Sequence, residues 1–357
     1  MIVLGIETSC DETAVSLVKD GATVLSSSVA SQIARHAEFG GVIPELAARE
    51  HLSAINPVMS KALELSGCSL NDIDAVAVTN GPGLMPALLV GLSFAKGLAV
   101  SLGVPLIGIN HFLAHIYGTF LDSDPSILFK HENYPMLALV VSGGHTALVL
   151  VGQDGNAQVV GTTIDDAAGE AFDKAAKLLN IGYPGGPVIE KTAQKGDAAK
   201  FDFPRSLTGR SGKSLDEKNR FNFSFSGLKT SLLYHCERLG GGEKLEGQLL
   251  YDTAASFQEA IVDVLRMKTL DAARFFGVSS VILCGGVACN NPLRERLEAT
   301  VKAPLRLFIS PKKYCTDNAA MVAGLAFYYI KAGQVDNLSV DAYARLPEIS
   351  RVPFCIS

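Results

Sequence analysis

The feature that most constrains the fold is an internal repeat of a short β pattern. Residues 2–28 are typical of a strand, a polar loop and a hairpin, with an Asp-Gly turn at 20–21. Residues 137–163 repeat this layout around a second Asp-Gly turn at 154–155. The two copies predict two similar α/β lobes with a central cleft between them.

A second repeat concerns loops of small residues. The strand-like run at 75–79 ends in Gly81-Pro82-Gly83, and the run at 281–284 ends in Gly285-Gly286. Backbone N–H groups at such loops and at helix N-termini suit anionic groups, phosphates above all. A single Gly pair is more simply a tight turn, but matched loops in two repeats favour an anion-binding role.

Length and composition predict a two-domain globular protein. The chain has 357 residues, of which 48% are hydrophobic and 19% charged. Its formal net charge is −5, whereas a protein that coats nucleic acid would be basic. Any nucleic-acid binding is therefore expected to use a local patch or helper subunits.

The cysteines and the apolar segments indicate an intracellular protein. Seven cysteines without a Cys-x-x-Cys pair argue against a disulfide framework and a zinc ribbon. The chain opens into a strand at 2–6, so we expect no signal peptide. The most apolar stretch, 84–100, contains Pro86 and Lys96 and predicts a buried helix and not a membrane span. We expect a cytoplasmic location.

Two histidines four residues apart, His111 and His115, form a candidate metal site. They follow a strand-like run at 104–109, at the point where the chain would leave a sheet and enter a helix. An i,i+4 pair lies on one helix face, so both imidazoles can reach one ion. The pair alone leaves a second interpretation open, a helix whose two half-buried histidines pack on a core.

Several motifs occur in order along nearly the whole chain. They are Glu7-Thr8-Ser9-Cys10-Asp11-Glu12-Thr13, Gly40-Gly41-Val42-Ile43-Pro44-Glu45-Leu46-Ala47, His111 through His115, Ser142-Gly143-Gly144-His145-Thr146, Asp166 through Lys174, Tyr183-Pro184-Gly185-Gly186-Pro187, Phe223 through Lys229 and Asp317-Asn318-Ala319-Ala320-Met321. Together they resemble the tRNA threonylcarbamoyltransferase family, whose bacterial members were long labelled O-sialoglycoprotein endopeptidases. This family lies in the actin, Hsp70 and sugar-kinase superfamily.

The resemblance implies two duplicated actin-like (ribonuclease H-like) lobes. We expect residues 1–110 plus 325–357 to form an N-terminal, partner-binding lobe. Residues 111–324 would form a C-terminal lobe with the adenylate and metal sites. The implied enzyme transfers the threonylcarbamoyl group from threonylcarbamoyl-AMP to the exocyclic amine of the adenosine 3′ of the anticodon, in tRNAs that read codons beginning with A, and releases AMP.

The resemblance also assigns site residues. The implied catalytic metal ligands are His111, His115 and Asp317, for one divalent ion, with iron(II) favoured and zinc as the alternative. The implied adenylate contacts are Val140, Val141, Ser142, Gly143, Gly144, Asp173, Gly186 and Asn290. Archaeal and eukaryotic relatives have a tyrosine ligand where this chain has Val140, so water or substrate would complete the shell.

Two of these carboxylates have other interpretations, and a third acidic residue, Glu12, lies in the first loop. Asp317 is also a plausible N-cap of a helix over 318–331. Asp173, on a predicted helix over 167–179, could be a solvated surface carboxylate. Glu12 is interpreted as orienting water or the amine, because an anion there would repel a phosphate.

Basic side chains and helices suggest where partners bind. The predicted tRNA segment contains Arg205, Arg210, Lys213, Lys218 and Arg220, and Arg35 with His36 is a second candidate. The bacterial family implies a catalytically silent paralogous subunit and a small P-loop ATPase. This chain contains no Walker A string. We expect the paralogue to dock on helices over 44–65 and 86–102.

Three rival functions are also considered against the sequence. A zinc metallopeptidase would need His-Glu-x-x-His, but Phe112 occupies the glutamate position and cannot move a proton. A two-lobed small-molecule kinase would need an aspartate base and turnover of Mg·ATP. A nucleotide-regulated interaction protein would leave the histidine pair without a purpose.

Overall fold

The computed structural model describes residues 1–38, 41–209, 217–345 and 349–353. Two compact units divide it. Unit 1 comprises residues 1–131, 153–156 and 310–357, and unit 2 comprises residues 132–152 and 157–309.

Groups of strands and groups of helices follow one another along the chain. The strands are β1 (Ile2–Glu7), β2 (Glu12–Lys19), β3 (Thr23–Ser31), β4 (Ala75–Gly81), β5 (Leu106–Asn110), β6 (Met136–Val141), β7 (Thr146–Val151), β8 (Asn156–Thr162), β9 (Ser280–Cys284), β10 (Arg306–Ile309) and β11 (Ile349–Arg351). The α-helices are α1 (Ile33–Ala37), α2 (Pro44–Ser66), α3 (Met85–Leu102), α4 (His111–Gly118), α5 (Ala168–Leu178), α6 (Gly185–Ala193), α7 (Ser226–Arg238), α8 (Gly247–Phe275), α9 (Asn291–Thr300) and α10 (Ala319–Lys331).

The sheet of unit 1 has the strand order β3-β2-β1-β4-β5. Strands β1, β2 and β3 pair antiparallel, and β4 and β5 add to β1 in parallel. The predicted Asp-Gly turn joins β2 to β3 with positive φ at both residues, 51° at Asp20 and 75° at Gly21. Positive φ at both central residues is the geometry that matches the twist of a two-residue hairpin.

Five strands of unit 2 repeat this arrangement in the order β10-β9-β6-β7-β8. Strands β6, β7 and β8 pair antiparallel, and β9 and β10 add in parallel. The predicted duplication into two α/β lobes is therefore confirmed, strand for strand.

The core of unit 1 lies between its sheet and its helices. Apolar residues of β1, β2 and β4 pack against α2 and α3; among them are Leu4, Ile6, Val15, Val76 and Val78. Helix α4 packs against α10, and α10 lies across β1 and β2.

The boundary between units differs from the prediction at one important place. We expected residues 111–324 in the second lobe, but α4 and the segment 310–324 belong to unit 1. The reason is that α10 packs on β1 and β2. The segment before α10, and α4, which packs against α10, therefore belong to the same unit as the first sheet.

Helix α3 is the one described helix that is long and apolar enough to cross a membrane, by length and composition alone. One of its faces, including Ala87, Leu92 and Ala95, is buried against α2 and β4. The core helix of a soluble protein has the same properties. The other faces include the exposed Leu89 and Val100, so α3 is only partly buried and not wholly buried as expected.

Candidate functional site

Helix α4 presents the histidine pair directly after β5. The side-chain oxygen of Asn110 accepts hydrogen bonds from the backbone N–H groups of Phe112 (2.9 Å) and Leu113 (3.1 Å). This N-cap satisfies two of the amides that a helix start leaves unpaired. It fixes His111 as the first residue of α4, as the sequence predicted for a strand-to-helix junction.

Three potential ligand atoms converge in unit 1. One ligand atom each from His111, His115 and Asp317 lie within 4.8 Å of one another. Asp317 Oδ1 is 3.1 Å from Nε2 of His115 and 3.5 Å from Nε2 of His111. Both imidazoles are buried, and their ring centroids are 4.5 Å apart. The half-buried packing interpretation of the pair does not account for this convergence on a carboxylate.

The N-cap interpretation of Asp317 is not what the structure has. Asn318 caps α10, because its side-chain oxygen accepts from the backbone N–H of Met321 at 3.0 Å. The start of α10 lies very close to β1: a Cβ at Gly5 would be 2.4 Å from the carbonyl oxygen of Ala319. Only a glycine admits this approach, which brings the preceding Asp317 to the histidines.

A buried carboxylate lies on the other side of His111. Nδ1 of His111 is 3.1 Å from Glu7 Oε2 and 3.2 Å from Ser9 Oγ. Burial lowers the pKa of His111, but Asp317 and Glu7 outweigh it and raise the pKa to about 9. Burial likewise raises the pKa of Glu7, and the charge of His111 outweighs it, so the Glu7 pKa is lowered. Sequence reasoning missed this role of Glu7; a glutamate inside an otherwise apolar strand was the available signal.

His115 differs from His111 in its second nitrogen. Burial, together with the neighbouring His111, lowers the pKa of His115 and so favours a neutral ring. Among the described residues, its buried Nδ1 has no hydrogen-bond partner. A neutral imidazole with Nε2 directed at a carboxylate is a metal-ligand arrangement. The donor set of two imidazoles and one carboxylate fits a divalent transition metal with open coordination positions.

Glu12 is the first residue of β2 and lies among other acids. Burial raises its pKa to about 10, with further contributions from Asp317 and Asp11. A carboxyl group in this state is protonated at neutral pH and can donate a hydrogen bond. Its predicted orienting role stays a prediction.

The Ser-Gly-Gly loop of unit 2 lies between β6 and β7. Its Ser142 carbonyl accepts from the backbone N–H of Gly169, at the start of α5 (3.2 Å). A Cβ at Gly143 or Gly144 would meet nothing within 4 Å, and both residues are exposed. Their backbone is therefore open to a ligand. Val140 and Val141 are buried in β6, so Val140 supplies no side-chain metal ligand.

Helix α5 connects this loop to two further predicted adenylate contacts, Asp173 and Gly186. Asp173 Oδ1 accepts from the backbone N–H of Gly185 (2.6 Å), so this carboxylate holds the first turn of α6. Gly186 follows in that turn with open space around its Cβ position. Asp173 is half-buried, which argues against a fully solvated carboxylate.

Asn290 is engaged inside unit 2. Its side-chain oxygen caps α9 by accepting from Leu293 N–H (3.0 Å), and Nδ2 contacts Gln258 Oε1 (2.9 Å) and Glu190 Oε2 (3.3 Å). The residue is 6% exposed. A ligand contact by Asn290 stays a prediction, and the structure adds a clear internal role.

The loops after β6 and β9 lie side by side. Gly285 has φ of 91°, and a Cβ there would be 2.4 Å from the carbonyl oxygen of Val141. The adjoining turn at 286–289 packs against both β6 and α5. The structure thus places the loop that contains Ser142, Gly143 and Gly144 beside the turn that precedes Asn290, at the carboxyl ends of the interior strands β6 and β9.

Two of the cations that were predicted to contact tRNA form ion pairs within the protein. Arg205 is 8% exposed in its side chain and pairs with Asp263 of α8 at 3.1 Å. Arg220 makes two 2.9 Å bonds to Asp271 on the same helix. Lys218 is exposed. Arg210 and Lys213 lie outside the described residues.

The two residues of the second basic candidate, Arg35 and His36, differ in exposure. Arg35 is exposed and pairs with Glu50 at 3.4 Å, whereas His36 is fully buried and contacts Gln32. His36 is therefore wrong as a surface contact for a phosphate. Its burial follows from the packing of the short helix α1, which the polar sequence around it did not reveal.

Solved structures with a similar fold include component A of (R)-2-hydroxyglutaryl-CoA dehydratase from Acidaminococcus fermentans. It has a TM-score of 0.52 and 17% identity, over 92% of this chain and 98% of that one. The activator of 2-hydroxyisocaproyl-CoA dehydratase from Clostridium difficile has a TM-score of 0.53 and 15% identity, over 95% and 100%. At such identities the likeness concerns the fold alone.

Sequence relatives are much more similar. A tRNA N6-adenosine threonylcarbamoyltransferase of Syntrophus aciditrophicus is 49% identical over 97% of this chain and 98% of its own length. The protein of that name from Thermosipho africanus is 46% identical over 97% and 99%. The family model described as tRNA N6-adenosine threonylcarbamoyltransferase matches residues 23–324. With this match and these full-length relatives, the chain belongs to the tRNA N6-adenosine threonylcarbamoyltransferase family.

Proposed function

We propose that this protein transfers a threonylcarbamoyl group from threonylcarbamoyl-AMP to the exocyclic amine of the adenosine 3′ of the anticodon. The acceptor tRNAs read codons that begin with A, and AMP is released. The observation that carries the proposal is the family match over residues 23–324. The clustering of the three candidate metal ligands supports it independently.

The reaction requires the protein mainly to position the substrates and to stabilise developing charge. The amine nitrogen attacks the carbamoyl carbon, the bond from that carbon to the phosphate oxygen breaks, and the amine gives up one proton. The donor is already an activated mixed anhydride, so no protein nucleophile is required. The remaining tasks are to hold the two substrates in line and to stabilise the charge that builds on the carbamoyl oxygen and the departing phosphate.

His111, His115 and Asp317 would hold one divalent ion, iron(II) in preference to zinc. When bound, such an ion supplies Lewis-acid polarisation of the threonylcarbamoyl oxygens. The chain supplies two buried nitrogens and a carboxylate oxygen from α4 and the segment before α10. Glu12, as a neutral carboxyl group close enough to Asp317 to respond to its charge, is suited to orient the amine or a water by hydrogen bonding.

The adenylate would bind to unit 2. The exposed backbone of Gly143 and Gly144 lets amides approach the α-phosphate, and a side chain at either position would occupy that open space. Gly186 offers a second open stretch of backbone, in the first turn of α6. Asp173 anchors that turn through Gly185 and would place it for the ribose.

Partner subunits would complete the assembly in the cytoplasm. A catalytically silent paralogue and a small P-loop ATPase are proposed, since the chain has an acidic net charge and no Walker A string. The outer faces of α2 and α3 expose large apolar side chains, among them Leu52, Leu65, Leu89 and Val100. Exposed apolar surface on two neighbouring helices is suited to docking another helical surface.

The rival functions receive less support. Phe112 is buried in α4 at the position where a metallopeptidase needs its general base. No contact in the described residues favours phosphoryl transfer over acyl transfer.

A reconstituted reaction tests the proposal. The protein is incubated with bicarbonate, threonine, ATP, the adenylate-forming enzyme, the bacterial partners and unmodified tRNA, and the nucleosides are analysed by mass. His111→Ala, His115→Ala and Asp317→Ala are each expected to lower product about 100-fold or more, because each removes a metal ligand. His131→Ala, at an exposed position, is the matched control and should retain product.

Retention of the fold is checked by circular dichroism for each variant. Full product from all three ligand variants would contradict the proposed site. Absence of modified nucleoside from the wild type with every component present would contradict the proposed activity.

A further inference from the structure

Glu7 is a carboxylate buried at the end of β1, with donors on three sides. Its Oε1 accepts from the backbone N–H of Ser9 (2.5 Å), and its Oε2 accepts from the hydroxyl of Thr79 (2.5 Å). Oε2 also lies 3.1 Å from Nδ1 of His111. Burying a carboxylate is costly unless it is paired and hydrogen-bonded. Strands β1 and β4 together hold this one in a fixed orientation.

The two nitrogens of His111 face different partners. Nδ1 faces Glu7, and Nε2 faces Asp317 and the imidazole of His115. A metal takes the lone pair of Nε2 only when the ring proton lies on Nδ1. An ionised carboxylate is an acceptor only, so its contact with Nδ1 selects that tautomer.

We propose that Glu7 is a positioning residue that fixes the ring orientation and tautomer of His111 for metal binding. The inference rests on the proposed metal site and names a residue outside the ligand set. It is specific to one of the two imidazoles, because Nδ1 of His115 has no partner among the described residues. Carboxylates that bind the second nitrogen of a ligating histidine raise its basicity and hold the ring in place.

The Glu7→Gln substitution tests this assignment because an amide cannot serve all three donors. If the amide oxygen faces Thr79 and His111, its NH2 group meets the N–H of Ser9. If the oxygen faces Ser9, the NH2 group meets Nδ1 of His111 and favours the tautomer with the proton on Nε2. The first arrangement keeps an acceptor for Nδ1 but sets two donors against each other at Ser9, which destabilises it, and the second disfavours the ring state that binds a metal.

The measurement uses the full-length protein, stripped of metal and titrated with Zn²⁺ in competition with a chromogenic chelator. Glu7→Gln is expected to weaken Zn²⁺ binding 10- to 100-fold, the usual range for the loss of such a partner. Co²⁺ substitution gives a second readout, since the ligand-field bands of the ion report a changed His111 contact. Glu259→Gln, which alters a carboxylate paired with Arg296 in unit 2, is the matched control and should bind Zn²⁺ as the wild type does.

Two further variants separate the outcomes. His115→Ala removes a ligand and should abolish stoichiometric binding. Ser9→Ala removes the other neighbour of Nδ1 and is expected to weaken binding less than Glu7→Gln does. If Glu7→Gln does not fold, Glu7→Asp, which withdraws the carboxylate by one methylene, is measured instead and should still weaken binding more than threefold.

The results distinguish this inference from the proposed function. Zn²⁺ binding by the folded Glu7 variant within threefold of the wild type, with binding lost in His115→Ala, would overturn the role of Glu7 and leave the metal site standing. A larger loss in Ser9→Ala than in Glu7→Gln would assign the orienting role to the hydroxyl and overturn it too. A wild type that binds no Zn²⁺ at these residues would refute the site and the inference together.

Discussion

At the scale of single residues, His111 and His115 lie together on α4, and Glu7 of β1 contacts the first of them. The i,i+4 spacing placed His111 and His115 on one face of α4, because helical periodicity is a local property. It did not reveal Glu7 of β1, which contacts His111, or Thr79 of the neighbouring strand β4, which donates to Glu7. The sequence did not reveal the contacts of Lys268 either, because its hydrogen-bond partners lie about 48 positions away in the chain.

Lys268 gives a pH prediction at this scale. Its side chain is 3% exposed on α8 and donates to the carbonyl oxygen of Arg220 at 2.6 Å. Burial lowers the pKa of Lys268 to about 8, with Arg220 adding to the effect and Asp271 opposing it. Between about pH 8 and the unfolded-state pKa near 10.5, the unfolded chain binds more protons than the folded one, so stability rises with pH.

The test compares melting temperatures of the wild type and Lys268→Met from pH 7 to pH 10. The difference, wild type minus variant, should increase across this window by the equivalent of about 1 to 3 kcal/mol. Lys302→Met, at an exposed position, is the control and should follow the wild-type trend. A constant or decreasing difference for Lys268→Met would contradict the account.

At the scale of elements, helix boundaries were predicted to within about one residue where a capping residue or glycine marks them. The helix expected over 318–331 is α10, at Ala319–Lys331, and the one expected over 44–65 is α2, at Pro44–Ser66. The basic segment near 205–220 was less predictable. Arg205 and Arg220 bind Asp263 and Asp271, which lie eight residues apart on α8, and spacing within the segment carries no information about that helix.

Asn110 joins two elements and gives a prediction of its own. Its oxygen caps α4, and its Nδ2 donates to the hydroxyl of Tyr343, in the C-terminal segment, at 3.2 Å. Asn110→Ala should lower the free energy of unfolding of unit 1 by about 1 to 2 kcal/mol, the usual cost of a lost N-cap. It should also weaken Zn²⁺ binding, because His111 begins the uncapped turn.

Asn110→Asp is the matched variant for this test. Aspartate keeps an acceptor for the amides of Phe112 and Leu113 and loses only the donor to Tyr343, so most of the stability should return. Chemical denaturation of the metal-free proteins measures both effects. Equal stability of Asn110→Ala and the wild type would show that the cap is not needed to hold α4.

At the scale of the whole molecule, the repeat predicted two similar α/β lobes, and the structure adds that five strands of each sheet share one order. The two lobes were predictable because hairpin turns and the alternation of residues in strands depend on the local sequence of each copy. The assignment of α4 and of residues 310–324 to unit 1 was not predictable in this way, because it depends on the packing of α10 over β1. The proposed metal ligands therefore lie in the unit that also carries α2 and α3.

The partner surface is tested at this scale. Leu52 is 69% exposed on α2, and Leu52→Asp should weaken association with the paralogous subunit at least about tenfold if α2 lies in the interface. Zn²⁺ affinity should be unchanged, since Leu52 has no contact with the ligand cluster. Leu338→Asp, at an exposed position after α10, is the control. Association measured by calorimetry that is unaffected by Leu52→Asp would move the interface elsewhere.

X-ray absorption at the K edge of the resident metal tests the central claim most directly. The account predicts about two imidazole ligands and additional oxygen ligands at about 2.0 to 2.2 Å, with no sulfur in the shell. A spectrum dominated by sulfur, or a wild-type shell without imidazole, would contradict a metal site built from His111, His115 and Asp317.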